Sequence, residues 1–303
     1  MKLAFHTLDV FTDRRFGGNP LAVVHGADGL APEQMQTIAA EFNLSETVFV
    51  LRPENPAHSA RMRIFTPTKE VPFAGHPTIG TAILLATLKA PTGDTTHDAL
   101  VALEQTVGLV RVGVRIRPGV TAFAEFDAPK LPQEAGALPP VETLAAGLGL
   151  IPSEIGFENH KPSCFAAGNA FAFVPVSTLD AIAKARINGA HWAHAFEEQG
   201  ILGCYVYTRQ CQHNASAFHA RMFAPGAGVP EDPATGSAAV NFAGVIQQFD
   251  QPPDGAHRRI VEQGYEMGRP SQILVTLTTE HGRLTGVRIG GHAVQVTEGT
   301  LSV

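Results

Sequence analysis

One pattern occurs twice in this chain, and it limits the possible folds more than any other feature. Arg63-Ile64-Phe65-Thr66-Pro67 runs through a Gly/Pro-rich turn to Gly75-His76-Pro77-Thr78-Ile79-Gly80-Thr81-Ala82. Arg221-Met222-Phe223-Ala224-Pro225 runs through another to Glu231-Asp232-Pro233-Ala234-Thr235-Gly236-Ser237-Ala238. Each copy reads as a strand, a turn, an X-Pro step and a helix of small residues, and the Arg-to-X-Pro spacings are 13 and 11 residues. The two helices, predicted over 77–89 and 233–249, carry Ala, Gly and apolar residues on all faces. Such a helix belongs inside a wrap of strands rather than on a surface. The expectation is an α/β (α+β) chain of two pseudo-symmetric domains, each a curled mixed sheet around a central helix.

The 303 residues suit that reading, since about 150 residues make a typical domain. A hairpin is predicted from 3–11 and 21–24, with Gly17-Gly18-Asn19-Pro20 as its turn. A helix over 32–42 follows from Met35, Ile38, Ala39 and Phe42 at helical spacing behind Ala31-Pro32. Strands are predicted over 47–51, 60–66, 101–103 and 108–117. Pro129, Pro132, Pro139 and Pro140 then mark a linker. Beyond it the pattern predicts helices at 141–148 and 179–187, with strands at 170–176, 203–208 and 217–223. The domains expected are 1–128 and 129–286.

Composition removes several function classes. Lys and Arg number 22 against 28 Asp and Glu, a net charge of −6, with no run of like charges. Neither a nucleic acid nor an anionic membrane surface is an expected partner. Three cysteines, Cys164, Cys204 and Cys211, show no C-x-x-C spacing and are expected as reduced thiols. The opening residues lack the apolar core of an export signal and no stretch of 18 apolar residues occurs, so the expected location is cytoplasmic. Thirteen histidines form no H-E-x-x-H or similar cluster, so no metal is expected. No G-x-S-x-G, Walker or dinucleotide fingerprint is present, and no cofactor is expected.

The X-Pro helix starts offer two readings. His76 and Asp232 can be N-caps ahead of a proline at the first helical position. They can also stand where two helix N-termini offer free N–H groups to an anionic substrate in a central cleft, with Gly75, Gly80, Gly236, Ser237 and Ala238 allowing close approach. Glu46, in Asn43-Leu44-Ser45-Glu46, falls between a helix and an apolar strand. It is either a solvated strand start or, if desolvated, a general acid/base with a pKa above the ordinary carboxylate range.

Five segments carry a resemblance when taken together. They are Phe16-Gly17-Gly18-Asn19-Pro20-Leu21-Ala22-Val23, Leu44-Ser45-Glu46-Thr47, Phe73-Ala74-Gly75-His76-Pro77-Thr78-Ile79-Gly80, Asp232-Pro233-Ala234-Thr235-Gly236-Ser237-Ala238 and Gln263-Gly264-Tyr265-Glu266-Met267-Gly268-Arg269-Pro270-Ser271. In order and spacing the chain resembles the PhzF-like phenazine-biosynthesis isomerases along nearly its whole length. The resemblance implies a diaminopimelate-epimerase-like fold with an active site between two similar halves, a last strand (287–303) returning to the first half, and a homodimer. It implies Glu46 as the acid/base, His76 and Asp232 as groups assisting proton movement, and Ser45, Gly75, Gly236 and Ser237 as holders of a substrate carboxylate. The activity implied is cofactor-independent proton transfer between carbons of a small carboxylate-bearing substrate, with trans-2,3-dihydro-3-hydroxyanthranilate as the specific guess. The alternatives are an epimerase or racemase using Glu and His, and a non-catalytic metabolite-binding protein. A two-thiol racemase is disfavoured, because His76 and Asp232 occupy the turns where such enzymes carry cysteines. Activity is expected to rise through the Glu46 pKa and to fall again when His76 or the substrate loses a proton.

Overall fold

The computed structural model describes residues 1–90 and 96–303. The chain divides into two compact units, Met1–Pro129 with Gly290–Val303, and Lys130–Ile289.

In the first unit, β1 (Lys2–Val10) and β2 (Asn19–His25) pair antiparallel. The connection lies earlier in the chain than the sequence predicts. Asn19 and Pro20 already belong to β2, opposite Val10 and Asp9, and residues 11–18 make the connection. Gly18 has φ +63 there, and a Cβ on it would collide with the Val10 carbonyl. Helix α1 (Pro32–Phe42) matches its predicted bounds and turns Met35 and Ala39 onto Phe49, Leu51 and Phe65. After it come β3 (Glu46–Leu51), β4 (Ala60–Phe65), β5 (Glu70–Val71), α2 (Gly75–Lys89), β6 (His97–Gln105), β7 (Gly108–Arg117) and β8 (Val120–Asp127). Helix α2 is buried from Gly75 to Ala86, touching β1, β2, β3, β6, β7 and β8, as its small, apolar composition requires.

The second unit contains β9 (Gln133–Glu134), α3 (Val141–Leu148), β10 (Ser163–Ala166), β11 (Ala170–Pro175), α4 (Leu179–Lys184), α5 (Gly189–Ala195), β12 (Gly203–Thr208), β13 (Phe218–Ala224), β14 (Val229–Asp232), α6 (Gly236–Asp250), β15 (Gly255–Gln263) and β16 (Ser271–Glu280). The final strand, β17 (Arg283–Ser302), pairs along β1 from Ala293 to Ser302. Phe242 on α6 stacks with Phe173 and meets Tyr205, Tyr207 and Phe218 edge-on or tilted. The helix predicted over 179–187 stops at Lys184, because Ala185 takes an extended ψ of 134. The carbonyls of Ile182, Ala183 and Ala185 accept hydrogen bonds from the Arg221 guanidinium instead.

Both units pair their strands in the same order. In the first, β2 is parallel to β3, β3 antiparallel to β4, β4 antiparallel to β5 and parallel to β6, and β6 antiparallel to β7. In the second, β11, β12, β13, β14, β15 and β16 repeat those relations. The duplicated arginines have a duplicated role. Arg63 grips Glu70 through Nε and Nη2 at 2.7 and 2.6 Å, and Arg221 grips Glu231 through the same atoms at 2.8 and 2.9 Å. Each guanidinium also lies over the phenylalanine two residues on, Phe65 or Phe223.

Candidate active site

Three local features bring Glu46 and His76 together. Helix α1 ends at Phe42 and is capped by Asn43, whose left-handed φ of 50 turns the chain so that β3 begins at Glu46. Strand β3 then runs parallel to β2 with Glu46 opposite Leu21. A Cβ on Gly80 would lie 2.6 Å from Leu21 Cδ2 and 2.7 Å from Val10 Cγ2, so only glycine lets α2 lie this close to β1 and β2. His76 is one turn before Gly80 on the same face of α2. Its Nδ1 is 3.5 Å from Glu46 Oε2, with the two side chains 4% and 19% exposed.

Burial pushes the His76 pKa down from 6.5 to about 3, so at neutral pH the ring is uncharged. Its Nε2 has no hydrogen-bond partner among the described residues. The expected fall in activity on deprotonation of His76 at alkaline pH is therefore corrected: in the free protein the ring loses its proton far on the acid side. The N-cap reading is also corrected. Helix α2 starts at Gly75, so His76 is its second residue and Pro77 its third, where a missing N–H still leaves no bond unmade. Thr78 Oγ1 donates to the Ala74 carbonyl at 2.8 Å and accepts from Gln105 Nε2 at 3.1 Å.

Asp232 ends β14 and is not the cap of α6, which begins four residues later at Gly236 behind Thr235. Its Oδ2 accepts the Thr235 hydroxyl at 2.5 Å. Gln263 Nε2 donates to the Asp232 carbonyl at 2.7 Å and to Thr235 Oγ1 at 3.1 Å, while Gln263 Oε1 accepts from Thr235 N–H and the Tyr205 hydroxyl, each at 3.2 Å. Gly264 follows with φ +79, and a Cβ there would meet the Arg269 and Pro233 carbonyls at 2.5 and 2.6 Å. Ser271 Oγ bonds the same Pro233 carbonyl at 2.9 Å. Two motifs read separately in the sequence, around Asp232 and around Gln263, thus form one packed assembly.

The other predicted residues flank these groups. Ser45 is half-buried just before β3, and Gly75 is the buried first residue of α2. Gly236 and Ser237 open α6, the first buried and the second half-buried. Sequence reasoning missed Gln105, Tyr205, His219 and Glu262. For Gln105 and Glu262 the available signal was the dipeptide Glu-Gln closing both β6 and β15. All three cysteines are free thiols, and burial, with Glu262 adding to it, pushes Cys211 up to about 12. Among the described residues no group of three or more His, Cys, Asp or Glu is placed to hold a metal, and no helix is long and apolar enough to cross a membrane.

Comparison with known proteins identifies the family. Residues 8–299 match the family described as phenazine biosynthesis-like protein. An uncharacterized isomerase of Mesorhizobium japonicum is 49% identical over 298 residues, covering 97% of each chain. A trans-2,3-dihydro-3-hydroxyanthranilate isomerase of Pseudomonas fluorescens is 34% identical over 294 residues, again covering 97% of each. The crystal structure of the Bacillus anthracis phenazine biosynthesis protein of the PhzF family, 27% identical, aligns over 100% of both chains with a TM-score of 0.89. The molecule is a mixed α/β protein of the diaminopimelate-epimerase-like fold class. It belongs to the phenazine biosynthesis-like (PhzF) family and is an isomerase.

Proposed function

We propose that this isomerase moves a proton between two carbons of a small carboxylate-bearing substrate, without a cofactor, and that trans-2,3-dihydro-3-hydroxyanthranilate is the leading candidate. The supporting observation is the half-buried Glu46 carboxylate beside an uncharged His76. A cationic histidine at that distance would stabilise the carboxylate anion and weaken it as a base; a neutral ring does not. In the proposed step Glu46 takes a proton from carbon, the C–H electron pair enters the adjoining π system, and the protonated Glu46, whose carboxyl proton exchanges with solvent, returns a proton at another carbon. Composition is unchanged, so the step needs neither oxidant nor co-reactant.

Asp232 is proposed as a second proton-handling group. Ser45 and the main chain at Gly75, Gly236 and Ser237 are proposed to hold the substrate carboxylate, a role suited to helix N-termini. Cytoplasmic location and a homodimer belong to the same reading. The test is incubation with trans-2,3-dihydro-3-hydroxyanthranilate in D2O, followed by mass spectrometry. An isomerised product carrying solvent deuterium supports the proposal, and absence of both isomerisation and exchange refutes the substrate assignment. Exchange with inversion at the α-carbon of a chiral amino acid would favour the epimerase alternative.

A further inference from the structure

Gln105 and Gln263 occupy the same place in the duplicated topology. In the first unit Glu104 lies opposite Arg61 of the parallel strand β4, and Gln105 closes β6; in the second Glu262 lies opposite His219 of β13, and Gln263 closes β15. The preceding glutamate has one role in both. Glu104 accepts the N–H groups of Glu54 and Asn55 and bonds the His58 ring; Glu262 accepts those of Gln212 and His213 and bonds the His219 ring. Each strand end is thereby anchored, and each glutamine reaches a threonine at the head of the central helix, Thr78 or Thr235, at 3.1 Å.

In the second unit the orientation of the amide is dictated by its neighbours. Nε2 faces the Asp232 carbonyl, which can only accept, and Oε1 faces the Thr235 N–H, which can only donate. The Thr235 oxygen therefore receives a proton from Gln263, and its own hydroxyl proton points to Asp232 Oδ2. We propose that Gln263 is a positioning residue, which sets the direction of the Thr235 hydroxyl and through it the orientation of the Asp232 carboxylate, and that Gln105 is its counterpart beneath Thr78 and the His76 turn. The role in turnover rests on the reading of Asp232 as a proton-handling group.

The test compares Gln263→Met, Thr235→Val, their double variant and Thr235→Ser. With trans-2,3-dihydro-3-hydroxyanthranilate, each of the first two is expected to lose about tenfold or more in kcat with KM within about threefold, because one removes and the other misdirects the Thr235 hydroxyl bond to the charged Asp232 carboxylate. The double variant is expected to be no worse than the poorer single one, and Thr235→Ser, which keeps the hydroxyl, to recover most of the loss seen in Thr235→Val. Additive losses, or a folded Gln263→Met with wild-type kcat, would overturn the proposal. Amide hydrogen exchange supplies a reading independent of substrate: the Thr235 N–H should exchange about tenfold faster in Gln263→Met, with β16 unchanged. If the wild type does not turn over this substrate, the functional proposal fails by itself and exchange decides the positioning claim. Unaltered Thr235 protection would then sink it.

Discussion

The buried histidine at the base of the Asp232 assembly makes a quantitative prediction. His219 Nδ1 is 2.8 Å from Glu262 Oε1 and its Nε2 is 2.9 Å from Glu266 Oε1, with the ring and Glu262 fully buried. Burial alone would lower its pKa, but the bonds to the two carboxylates outweigh burial and raise it from 6.5 to about 9. A folded-state pKa above the unfolded one gives stability that is full below pH 6.5 and lost as pH rises through 9. The shift corresponds to about 3 kcal/mol at full extent. His219→Gln should therefore be strongly destabilising at pH 6, and the gap from wild type should narrow markedly by pH 10. Urea melts followed by the fluorescence of Trp192, the only tryptophan and a core residue of the same unit, measure this directly. A wild-type-minus-variant difference that is constant from pH 6 to 10 would refute the charged-histidine assignment.

Other consequences are simpler. Gly80→Ala should destabilise the protein by about 1–3 kcal/mol, since the added methyl has no room against Leu21 and Val10; a melt within error of wild type would contradict the packing described. Arg221→Met strands Glu231 and three carbonyls in a buried setting and should cost about 3–5 kcal/mol, whereas Arg63→Met, at a more exposed pair, should cost clearly less by the same denaturant assay. Equal losses would show that the two arginines are energetically equivalent despite their surroundings. The activity profile should show no limb from His76 above about pH 5, and Glu46 variants but not His76 variants should move the acid limb.

Local rules made much of the fold legible. Pro32 and the spacing of Met35, Ile38 and Ala39 predict α1 to its ends, and the repeated Arg-x-Phe-x-Pro pattern announces the duplicated strand order. The helix starts were less legible, because a proline is tolerated at the third helical position as well as the first. Gly75-His76 therefore joins α2, while Asp232 to Thr235 stays outside α6. Glu46 and His76 could each be singled out, but their contact could not: it depends on Gly80 bringing α2 onto Leu21, a packing relation across 59 residues. Gln263 was harder still. A polar residue at the end of a strand gives no local sign that it will bond a threonine 28 positions earlier, and only comparison of the two Glu-Gln strand ends shows the pattern.

Proton transfer by Glu46 is the central claim, and the most direct measurement is solvent deuterium incorporation by Glu46→Gln beside the wild type. The substitution keeps the side chain's shape and removes its basicity. The wild type should return an isomerised product labelled from D2O, and the variant should bind the same substrate yet incorporate deuterium slower by about a thousandfold or more, as for loss of an essential acid/base. Labelling by Glu46→Gln at a rate near that of the wild type would contradict the account.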